Sequence, residues 1–71
     1  MVYQLTIKAS AGQLVALFEM EADALESLRI SYAQSGGYKL FPPGPAICGK
    51  TGHGEEFEIR AIELWKKPIH L

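Results

Sequence analysis

The stretch Tyr3-Gln4-Leu5-Thr6-Ile7-Lys8-Ala9-Ser10-Ala11-Gly12-Gln13-Leu14-Val15-Ala16-Leu17-Phe18 decides how the chain reads. Tyr3, Leu5 and Ile7 alternate with Gln4, Thr6 and Lys8, the period of two that marks a half-buried strand. Ser10-Ala11-Gly12 supplies a turn. A second strand then runs from Gln13 to about Met20, with Leu14, Ala16 and Phe18 on one face and Val15 and Leu17 on the other. So short a connection makes residues 2–20 an antiparallel hairpin. A strand apolar on both faces asks for cover on both.

Outward from the hairpin, the pattern changes to helical spacing. Leu25, Leu28 and Tyr32 form a stripe with Ala22 and Arg29 at its edge, which predicts a helix over Glu21–Gln34. Glu21, Asp23 and Glu26 lie early in it, where the helix dipole favours anions. Ile30 falls off the stripe. Gly36-Gly37 supplies the stop. Tyr38 to Phe41 reads as a short strand. Residues 42–54 hold three of the four prolines and four of the seven glycines and read as a loop without regular structure, a length usually reserved for function. In the last segment, Glu55 to Lys67, Phe57, Ile59 and Ala61 alternate with Glu56, Glu58 and Arg60, and then Ile62 and Leu64 change parity. A strand with a β-bulge near Ala61 accounts for this; a helix that gathers Phe57, Ala61, Leu64 and Trp65 is the alternative. Pro68 stops either.

The expected architecture is a single α+β domain over residues 1–71, ordered ββαββ, with an antiparallel sheet and one helix packed on one face. One helix leaves the second sheet face uncovered. That face would carry Val15, Leu17, Ile62 and Leu64, with Trp65 beside them and Lys66 and Lys67 at the rim. An apolar patch holding an aromatic within a charged border is the composition of an interface. A core phased differently, with all five inside one protomer, is the competing reading.

Composition narrows the classes. The 71 residues are 48% hydrophobic and 21% charged, with a net charge of −1, which is globular and excludes a disordered tail. The missing basic excess speaks against nucleic-acid binding. The longest uninterrupted apolar run, Leu14–Phe18, is far short of the roughly 20 residues of a membrane span. One cysteine excludes an intramolecular disulfide framework, and with no signal-peptide pattern it points to the cytoplasm. A domain this small has a core that rarely nets more than about 3–5 kcal/mol, so self-association is the expected support.

Several side-chain groups are candidate sites. Gly44-Pro45-Ala46-Ile47-Cys48-Gly49-Lys50-Thr51 fits the phosphate-loop spacing G-x-x-x-x-G-K-[ST] and resembles nucleotide triphosphatases over that segment alone. The departures are large. Pro45 removes a cradling N–H, Gly52-His53-Gly54 is a poor first helical turn, and the chain is too short for the usual nucleotide fold. A looser version remains, in which Gly49, Lys50, Thr51 and His53 hold a small anion or nucleotide without hydrolysis. Cys48 with His53 would make a thiolate pair, but nothing in the sequence orients them. Cys48, His53, Glu55, Glu56 and His70 lack paired metal-ligand spacing, so no metal or other cofactor is expected. Glu55, Glu56 and Glu58 read as a solvated face before an acid–base pair. Tyr38, Lys39, Phe41, Trp65, Lys66 and Lys67 mix aromatics and cations as single-strand binders do, but without their charge excess. The expected function is a small non-enzymatic binding or accessory protein working by protein–protein contact, with itself and with a further protein as partners. Capture of a small anionic ligand is the alternative.

Overall fold

A computed structural model describes residues 2–63. The hairpin forms as its alternation requires: β1 (Val2–Ala9) pairs antiparallel with β2 (Gly12–Phe18), from Tyr3 opposite Phe18 to Ala9 opposite Gly12. A helix, α1 (Glu21–Ser31), follows at once. No side chain caps its start, but Glu21 and Asp23 stand in the first turn, where their charge offsets the helix dipole. A single 3₁₀ turn, Ala33–Ser35, replaces the last helical residues expected up to Gln34. Gly36 and Gly37 then reverse the chain at φ 95° and 78°, values that a residue with a Cβ adopts only under strain. The Gly37 N–H closes back on the Tyr32 carbonyl at 2.8 Å.

Three more strands complete the sheet: β3 (Tyr38–Leu40), β4 (Ile47–Thr51) and β5 (Glu56–Ile62). All pairings are antiparallel, and the order across the sheet is β2-β1-β5-β4-β3. The α+β class stands, and among the described residues there is one α-helix, but their element order is ββαβββ. β4 lies inside the segment expected to be irregular. Its core-facing row is Ile47, Gly49, Thr51, so a glycine occupies the position where alternation would show an apolar side chain. The Phe57 ring fills that space from the neighbouring strand: a Cβ on Gly49 would lie 2.8 Å from Phe57 Cζ and 2.1 Å from the Lys39 carbonyl oxygen.

The strand reading of the last segment holds over Glu56–Ile62, but without a bulge. Pairing with β1 runs one to one from Lys8 opposite Glu56 to Val2 opposite Ile62. Ala61 and Ile62 simply face opposite sides. The core lies between α1 and the central strands: Leu5, Ile7, Phe57 and Ile59 from the sheet, Ala24 and Leu28 from the helix. Leu25 and Tyr32 pack at its margin as the stripe predicts, whereas Ala24 takes the buried position expected at its edge for Ala22. Ile30 is exposed.

Candidate functional site

Among the described residues, the outer strand β2 carries more exposed large apolar side chains than any other element. Leu14 is 61% exposed, Val15 57% and Leu17 52%; only Phe18 packs against the core margin. Opposing residues in an antiparallel pair share a face. Leu14, Ala16 and Phe18 stand opposite Ile7, Leu5 and Tyr3 and so belong to the helix side; Val15 and Leu17 stand opposite Thr6 and Gln4 and belong to the far side. Among the described residues no strand lies along the outer edge of β2, so alternate N–H and C=O groups there have no partner within the sheet.

The two sheet edges differ in kind. Outermost on the other side, β3 has three residues, one of them Lys39, and Pro42 and Pro43 follow after Phe41. Shortness, a lysine and prolines are the ordinary protections against edge-to-edge pairing. β2 has seven residues and none of these protections; from Ala9 to Phe18 the chain carries no charge. That uncharged run was visible in the sequence. What was not visible is that β2 would be outermost, because strand order depends on β5 pairing with β1.

The far sheet face is the one whose apolar residues suggest an interface, and the structure places Val15, Leu17 and Ile62 on it. The rows between them are polar. Leu17 lies in register with Gln4 and Arg60, and Val15 with Thr6, Glu58 and Cys48. Glu58 is ion-paired to Arg60 on the same strand. The apolar side chains therefore lie along β2, at the Val2–Ile62 corner and at Phe41 beside Cys48, at the margins of the face rather than over its centre. Leu64 and Trp65 lie outside the described residues, as do Lys66, Lys67 and His70.

The residues expected to hold an anion are divided. Gly49, Lys50 and Thr51 belong to β4, which has a strand on either side, so the segment is a ladder and not an open loop of amides. Gly49 and Thr51 are buried on the helix side, while Lys50 points to the far side. Thr51 Oγ1 accepts the N–H groups of His53 and Glu55 at 3.2 and 3.3 Å, which fixes the turn between β4 and β5. Lys50 and His53 both border one open depression of about 480 Å³, together with Lys8, Ser10, Gly54, Glu55 and Glu56.

The same turn carries a cluster that the sequence reading missed. The Tyr32 hydroxyl donates to Glu55 Oε1 at 2.9 Å, and the His53 ring meets Tyr32 edge-on with centroids 5.1 Å apart. Partial burial holds the Tyr32 hydroxyl above the usual phenol range, and the hydrogen bond to Glu55 adds to the shift. The cluster docks the end of α1 onto the β4–β5 turn. The remaining candidates are separated. Cys48 is half-buried on the far side, in register with Glu58, whereas the His53 ring lies against Tyr32. Among the described residues no three His, Cys, Asp or Glu side chains converge as metal ligands would. Tyr38 packs edge-on against Phe57, which separates it from Lys39 on the other face. No helix among the described residues is long and apolar enough to cross a membrane. No protein-family model, curated protein or solved structure matches the chain.

Proposed function

We propose that this chain is a small interaction protein with no chemistry of its own, which self-associates through the outer edge of β2 in the cytoplasm. The observation that carries the reading is the uncharged, seven-residue edge with three large side chains more than half exposed. The lone Cys48 is consistent with a reducing compartment.

The energetics set the strength of the contact. Full burial of a Leu or Val is worth about 1.5–3 kcal/mol, so half a side chain is worth about 1 kcal/mol, and Leu14, Val15 and Leu17 from two copies give roughly 6 kcal/mol. Each strand-to-strand hydrogen bond adds a net of about 0.5–1.5 kcal/mol. Against these stands an association cost of about 4–15 kcal/mol. The sum describes a weak, concentration-dependent dimer, with dissociation on the order of micromolar or above. Light scattering over a dilution series tests it. The mass should rise from 7.8 kDa toward twice that value with concentration. Leu17→Lys, whose fold is checked by circular dichroism, should stay at the protomer mass. A wild-type chain that remains at 7.8 kDa at several hundred micromolar refutes the reading.

A second reading rests on the open depression bordered by Lys8, Ser10, Lys50 and His53, whose cations would have to outweigh the carboxylates of Glu55 and Glu56 on the same rim. A small anion bound there would be held by side chains and not by a glycine cradle. Inorganic pyrophosphate should then raise the melting temperature of wild type but not of Lys50→Ala, since a ligand that binds only the native state stabilises it. Equal shifts in both proteins, or none in either, remove this reading.

A further inference from the structure

We infer that the β2 edge pairs with a second β2, antiparallel, in a single register whose two-fold axis passes through Ala16. The inference rests on the self-association reading and adds the geometry that the reading leaves open.

A two-fold axis perpendicular to a sheet keeps each face on its own side, so helix-side residues of one copy must meet helix-side residues of the other. Side chains alternate along a strand, so opposed residues must share parity and the axis must fall on a residue. The β2 sequence distinguishes the choices. With the axis on Ala16, Leu14 meets Phe18 of the second copy on the helix side, and Val15 meets Leu17 on the far side. The small Ala16 meets itself, and Gln13 meets Glu19, polar against polar, at each end. With the axis on Val15, Gln13 faces Leu17 and Gly12 faces Phe18. With the axis on Leu14, Gln13 faces Val15 and Gly12 faces Ala16. With the axis on Leu17, Val15 faces Glu19. Only the Ala16 register sets every large apolar side chain of β2 against another, as cross-strand stabilisation requires. The product is a continuous sheet of twice five strands with both helices on one face.

Disulfide trapping tests the register. Opposed residues in an antiparallel pair have Cα atoms about 4.5–5.5 Å apart, inside the disulfide range of about 4.4–6.8 Å. All variants carry Cys48→Ser, and diamide is the oxidant that takes the two thiols to a disulfide. Ala16→Cys should convert to a covalent dimer in high yield. Val15→Cys and Leu17→Cys should each stay largely uncrosslinked alone but crosslink when mixed, which checks the register without altering Ala16. Crosslinking of Val15→Cys alone overturns the Ala16 axis. If the wild type is dimeric and Leu17→Lys breaks the dimer, yet neither Ala16→Cys nor the mixture crosslinks, the register falls and the edge contact survives. If the wild type is monomeric by light scattering, both fall.

Discussion

Gly49→Ala offers a direct test of why the segment that fits a phosphate-loop spacing contains that glycine. The added methyl would lie 2.1 Å from the Lys39 carbonyl oxygen and 2.8 Å from Phe57 Cζ. Ordinary contact begins at 3.4 Å, so the two backbones must part by about 1 Å or the ring must leave its place. Neither movement is small. The Lys39 carbonyl belongs to β3, which is held to β4 over only three residue pairs, and Phe57 is 3% exposed at the centre of the core. Overpacking of this kind costs about 1–3 kcal/mol, and disruption of the β3–β4 ladder adds to it. An expected loss of about 2–4 kcal/mol takes most of the roughly 3–5 kcal/mol available to a domain of this size. With an m-value of about 1 kcal/mol/M, the urea midpoint should fall by roughly 2–4 M. Gly44→Ala is the control, because it belongs to the same spacing pattern but its Cβ would meet nothing within 4 Å. Its midpoint should stay near that of wild type. Equal midpoints for the two variants, or a Gly49→Ala protein within about 0.5 kcal/mol of wild type, would refute the packing account of this glycine.

The alkaline limb of stability should depend on Tyr32. Its folded-state pKa lies above that of the unfolded chain, so its contribution is fully present below about pH 10 and is lost as pH rises through the raised value. Melting temperatures from pH 8 to 11 should fall more steeply for wild type than for Tyr32→Phe; parallel curves would show that the hydroxyl does not couple to folding. The other expectations are read in three separate assays: Leu17→Lys by mass, Lys50→Ala by the pyrophosphate-induced shift in melting, and the cysteine variants by crosslinking yield.

The elements were legible where period and burial agree. Tyr3, Leu5 and Ile7 announce β1 because every second residue faces the helix, and Leu25, Leu28 and Tyr32 announce α1 for the corresponding reason at helical spacing. β4 was hidden because Gly49 stands where the alternation needs a side chain, and the ring that fills the gap comes from Phe57 on another strand. Val15 and Leu17 were assignable to the far face by parity alone. The polar rows beside them, Gln4 with Arg60 and Thr6 with Glu58, follow from strand order, which local alternation does not encode. The Tyr32–Glu55–His53 contact links residues far apart in the chain, and no local pattern encodes it.

The strand order has a consequence for how the chain assembles. β1, β2 and α1 are neighbours in sequence, and β3, β4 and β5 form a second neighbouring set. The two sets meet in the sheet along a single seam, where β1 lies against β5. Each set can organise locally, but the seam closes a loop that runs from Val2 to Ile62, so most of the loop-closure entropy falls on that one event. A chain caught before closure exposes a second pair of open strand edges, and the β1 of one molecule is then as good a partner for the β5 of another as for its own. The step that completes the fold is thus also the one at which two molecules can exchange halves.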